Sequence, residues 1–143
     1  MSQYTRAVAN SPVFTTRITT LAATGSSGDA VVVDLESDTY NGRAGAAAKY
    51  LPANSFRVVN NSSKTIEVWK NCNSGNKRVV FSNQDVVMDE DGWRSAKIVN
   101  LSSSALSGTD EIRVEAQRKQ YSTENVVRDS IPLLANLLGG LRA

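Results

Sequence analysis

No histidine occurs in the 143-residue chain. That removes Ser-His-Asp and Cys-His nucleophilic catalysis and the usual zinc ligand sets. The single cysteine, Cys72, stands between Asn71 and Asn73 with no histidine to activate it, and one cysteine permits no intrachain disulfide. No glycine-rich phosphate loop is present. Carboxylates remain. Asp89-Glu90-Asp91-Gly92 offers the hard oxygen donors that calcium takes. It does not match an EF-hand loop, which requires acids at alternating positions, a Gly at the sixth and a Glu at the twelfth, so it reads as a solvated turn. Asp34, Glu36, Asp38, Glu67, Asp89, Asp91, Glu111 and Glu115 include material for the paired carboxylates of glycoside hydrolysis, but no spacing singles out a pair. The expectation is a non-enzyme with no catalytic residue, no metal and no cofactor. Two aromatic anchors are left, Trp69 and Trp93. Each is either a core residue or a surface anchor, stacking on a sugar or forming a hot spot at a protein interface.

Composition bounds the partners. Sixteen basic and 14 acidic residues, mixed along the chain, give a formal charge of +2. No basic stripe marks a nucleic-acid surface, so no nucleic-acid partner is expected. The first residues lack the pattern of a secretory signal, and no apolar run reaches the length of a membrane span. The expected product is made in the cytoplasm. A length of 143 residues and 41% hydrophobic content suit one domain with a real core.

The elements that would carry these residues are strands. Eight short segments rich in β-branched and aromatic residues, at 13–20, 30–35, 55–60, 65–70, 77–81, 84–88, 93–100 and 111–117, are separated by Gly, Asn, Ser and Asp clusters. Val31-Val32-Val33 is the most apolar and is expected to be buried on both faces or at a subunit contact. Residues 36–54 read either as a loop or as a loop with a short helix at 44–50. Residues 56–69 read as a β-hairpin turning at Asn60 to Lys64, with Phe56 and Val58 on one face and Ile66 and Val68 on one face. The phrase recurs: Ile98-Val99-Asn100-Leu101-Ser102-Ser103 echoes Val58-Val59-Asn60-Asn61-Ser62-Ser63, and Ile112-Arg113-Val114 echoes Ile66-Glu67-Val68. The fold class predicted is all-β: a single eight-stranded antiparallel jelly roll or β-sandwich over 13–120, after an N-terminal arm at 1–12.

From residue 121 the pattern changes to helical spacing. Val127, Ile131, Leu134, Leu138 and Leu141 make an apolar stripe that Val126, Leu133 and Leu137 widen. The segment 121–143 is expected to be an amphipathic helix, interrupted at Pro132. Its Val127, Ile131, Leu134, Leu137, Leu138 and Leu141 are the candidate interface residues, docking on the sandwich, another subunit, another protein or a lipid face.

Residues 55–117 run as a strand ending in Val-Asn, a Ser-Ser turn, an Ile-x-Val strand, a small hairpin, Ile-Val-Asn, a Ser-rich loop and a final Ile-x-Val-x-Ala-Gln strand. This order resembles the small single jelly-roll vertex (penton) or minor capsid proteins of tailless bacterial viruses that carry an internal membrane. The resemblance covers under half of the chain and has no invariant motif. It implies a virion structural protein, a homo-oligomer with a pentamer favoured, contacts to other capsid proteins and to a viral membrane surface, and no catalytic residue. The alternative is a carbohydrate- or receptor-binding β-sandwich that uses Trp69 or Trp93, and a third reading is a membrane-surface protein that uses the terminal helix.

Overall fold

The computed structural model describes residues 10–119. The strands within them are β1 (Phe14–Ile18), β2 (Ala30–Asp34), β3 (Thr39–Tyr40), β4 (Arg43–Ala44), β5 (Ser55–Asn61), β6 (Ile66–Lys70), β7 (Lys77–Val80), β8 (Asp85–Met88), β9 (Ser95–Asn100) and β10 (Glu111–Gln117). Eight of them coincide with the expected segments to within two residues at either end. Alternation decides what each contributes. In β10, Ile112, Val114 and Ala116 are buried while Glu111, Arg113 and Glu115 point away, and β9 divides Ala96 and Ile98 from Lys97 and Val99 in the same way.

The strands form two four-stranded antiparallel sheets, ordered β1-β10-β5-β8 and β2-β9-β6-β7, with β3 and β4 paired apart. The pairings are nested in sequence: β1 with β10, β2 with β9, β5 with β8, β6 with β7. Such nesting is what results when one long hairpin is rolled so that successive tiers fall alternately in the two sheets. Both inner faces feed one core within Pro12–Arg118: Phe14, Phe56, Val58, Ile112 and Val114 from one side, Val33, Ile66, Val68, Val80 and Ile98 from the other.

Residues 56–69 are therefore not a hairpin. β5 and β6 lie in different sheets, as do β9 and β10. The reason lies in the repeated asparagines. Asn60 and Asn100 are fully buried. The Asn100 amide donates to the carbonyls of Ala22 (2.9 Å) and Ser104 (3.0 Å), and its Oδ1 accepts from the Ser102 N–H (2.9 Å). The Asn60 amide donates to the carbonyls of Lys64 (2.8 Å) and Phe81 (3.1 Å), and its Oδ1 accepts from the Ser62 hydroxyl. Each amide satisfies backbone groups that a chain crossing between sheets cannot place in a ladder. Thr65 and Ser102 join the two corners, the Thr65 N–H donating to Ser102 Oγ at 2.9 Å and the Leu101 N–H to the Thr65 carbonyl at 2.9 Å.

Two further expectations are sharpened. Val33 is buried but Val32 is 52% exposed, so β2 is an edge strand with one buried face, which overturns burial on both faces and leaves the alternative of a subunit contact. Residues 39–44 form a hairpin through Asn41 (φ 53°) and Gly42 (φ 75°), left-handed positions that a two-residue turn requires, and Ala48–Tyr50 is a single 3-10 turn. Tyr40 from that hairpin packs on Phe14 (centroids 5.2 Å) and meets Thr16 Oγ1 at 3.1 Å. The expected terminal helix lies outside the described residues, as do Val127, Ile131, Leu134, Leu137, Leu138 and Leu141.

Candidate interaction surface

The outer faces of the two sheets have opposite character. On the β1-β10-β5-β8 sheet the charges are matched in a ladder: Arg17 with Glu111, Arg57 with Asp85 and Glu115, Arg113 with Glu115. The cross-strand register sets the pairs made by Arg17 and Arg57, whereas Arg113 reaches Glu115 along β10 itself. Arg57 stands between Glu115 on β10 and Val87 on β8, and Asp85, two residues from Val87 on the same outward face, reaches it diagonally. The Arg57 guanidinium holds the Asp85 carboxyl below the usual carboxylate range. Asp85 in turn raises the Arg57 guanidinium above its ordinary value. This face is internally neutralised.

The outer face of the β2-β9-β6-β7 sheet has no ion pair among the described residues. Register places Val32, Lys97, Trp69 and Lys77 in one row across the four strands, with Ala30, Val99, Glu67 and Val79 in the next. Lys77 and Lys97 come from the strands on either side of β6, and their ammonium groups lie 4.4 and 4.6 Å from the Trp69 ring centroid. The Trp69 Nε1–H donates to Glu67 Oε1 at 2.7 Å. Trp69 is thus a fixed, half-buried anchor with a lysine approaching from the strand on either side. Val32, Val79 and Phe81 add exposed apolar surface on this side, Phe81 being 61% exposed.

Trp93 is not a surface anchor. It is 1% exposed and stacks on Phe56 with ring centroids 4.1 Å apart and planes 4° from parallel. Its Nε1–H is buried without a hydrogen-bond partner. Beside it, at the seam between β7 and β8, is an open cleft of about 230 Å³ whose walls include Lys70, Lys77, Arg78, Met88, Glu90 and Trp93.

The carboxylates resolve into different roles. Glu90 is bound by Lys70 at 3.1 Å and Asp91 by Arg118 at 2.8 Å, so this acidic turn carries its own cations. Among the described residues no group of three or more His, Cys, Asp or Glu side chains is placed to hold a metal ion. The turn after β2 is different. Asp34 accepts from the Glu36 N–H and the Ser37 hydroxyl, and Asp38 accepts from the Asp34 N–H. Among the described residues no cation forms an ion pair with Asp34, Glu36 or Asp38. Burial, and then the Asp34 charge, raise the Asp38 carboxyl above its ordinary value against the pull of that N–H. Cys72 is exposed, with Sγ 3.6 Å from Ser95 Oγ.

Of the expected sites, then, Trp69 stands on the surface and Trp93 in the core. Sequence alone does not single out the lysines around Trp69, because only strand register brings residues 69, 77 and 97 together. No protein-family model matches the chain, and no curated protein or solved structure matches it.

Proposed function

We propose that this chain is a structural subunit of a virus particle: a single jelly roll that self-assembles into a ring as a capsid vertex (penton) or minor capsid protein. The observation that carries this reading is the nested pairing of the eight long strands into two four-stranded sheets, which supports a jelly roll. A fold of this class fixes the angle between neighbours through rigid sheets, and a ring repeats one heterologous contact until it closes. The unequal outer faces suit the role. One is internally neutralised, and the other offers apolar side chains and cations that have no carboxylate partner among the described residues. The partners in this reading are further copies of the chain, other capsid proteins and a viral membrane surface, and the location is the virion.

Native mass spectrometry of the full chain tests the proposal. A pentamer is the expected result, and a monomer at all concentrations overturns self-assembly. A chain stopped at Gln120 then reports whether the apolar stripe from Val127 to Leu141 holds the ring together.

A second reading rests on Trp69, a half-buried tryptophan on an outer sheet face: a carbohydrate- or receptor-binding module. A glycan screen with Trp69→Ala as control separates the two. Glycan binding lost in the variant favours it; no binding by the native chain removes it.

A further inference from the structure

The two edges of the β2-β9-β6-β7 sheet carry opposite, unmatched charge at the same end of the sandwich. β2 ends at Asp34 and leads into the turn holding Glu36 and Asp38. β7 begins with Lys77 and Arg78, and neither has an ion-pair partner among the described residues. Their levels match: Lys77 shares a cross-strand row with Val32, and Asp34 is two residues further along β2 toward the same end. Arg78 lines the cleft at the β7–β8 seam, with Lys70 and Lys77 also on its walls and Glu90 already held by Lys70. The acidic turn lies at one edge, and the net-basic cleft at the other.

Strand direction fits as well. Each neighbour in the sheet is antiparallel, so β2 and β7 run in opposite directions. A copy rotated about an axis along the strands brings its β2 alongside β7 antiparallel. No lysine or proline of the kind that blunts an edge interrupts Ala30-Val31-Val32-Val33, and Val32 is 52% exposed.

We infer that subunits join edge to edge, the acidic turn of residues 34–38 on one copy seating in the cleft lined by Lys70, Lys77 and Arg78 on the next. The occupant of the cleft is a second copy of this chain. This rests on the self-assembly reading and names the contact that closes the ring.

A charge exchange on the full chain tests it. Glu36 and Arg78 suit the purpose, since Glu36 meets Asp34 through its backbone N–H and Arg78 takes no part in the Trp69 stack. Glu36→Lys and Arg78→Glu should each weaken assembly at least tenfold by native mass spectrometry, with unchanged circular dichroism. The two together in one chain should restore it. If the native chain assembles and folded single variants assemble equally well, or the double variant stays dissociated, this contact is wrong and the ring reading survives. A monomeric native chain removes both.

Discussion

Replacing Asn100 by Ala removes three hydrogen bonds at a position with no solvent access: to the Ala22 carbonyl, the Ser104 carbonyl and the Ser102 N–H. Each bond contributes about 1 kcal/mol net, and buried groups left without partners cost roughly 1–3 kcal/mol each. Some of these loop groups will find water, so the expected loss is about 3 kcal/mol. The assay is urea unfolding, read as a shift in midpoint at constant slope. Asn100→Asp sharpens the test. It keeps the shape but turns an oxygen toward two carbonyls where an amide had donated. At neutral pH it should cost at least as much as Ala, because a carboxylate with one N–H partner and no countercharge is then buried against two carbonyls. On acidification the protonated acid can donate to one of those carbonyls, so part of the loss should return. Asn61→Ala, at an exposed position, should change stability by less than about 0.5 kcal/mol. A loss below about 1 kcal/mol for Asn100→Ala, or an Asp variant indifferent to pH, would refute the corner's assigned role.

Trp93→Phe should cost less than about 1.5 kcal/mol, since it removes an unpartnered buried N–H while keeping the stack on Phe56, whereas Trp93→Ala should cost about 3–5 kcal/mol; equal losses in urea unfolding would contradict this. Asp110 accepts from the Ser107 and Ser63 N–H groups, which hold its carboxyl below its ordinary value. A depressed folded value means stability present above the unfolded value near ~4 and lost as pH falls through the folded one. Asp110→Asn should therefore flatten the acid limb of the stability profile, and an unchanged limb would count against the assignment.

The eight long strands are legible in the sequence because their alternation and the clusters between them are local signals. Their pairing is not. A run such as Val-Asn-Asn-Ser-Ser between two strands is turn chemistry whether the chain reverses within a sheet or crosses to the other, and the buried state of Asn60 and Asn100 is set by residues as distant as Phe81 and Ala22. The repeat around the two asparagines does hold the information, since two copies of one phrase do one job at two corners. The hairpin at 39–44 has a plain local signal, Asn41-Gly42, masked by the small residues that follow it.

The site is legible only in part, for the same reason. Tryptophan is a good core residue and a good anchor, and nothing local distinguishes Trp69 from Trp93. Parity does so once the sheet is built: Trp69 shares its face with Glu67, opposite to Ile66 and Val68, whereas Trp93 precedes β9 and bridges to Ala53 within the core. Charge behaves likewise. Sixteen cations against 14 acids look balanced along the chain, yet the fold matches charges across one sheet and leaves an acidic turn and a pair of cations at opposite edges of the other. A balanced sequence can therefore encode a polar subunit, and polarity of that kind is what a head-to-tail ring requires.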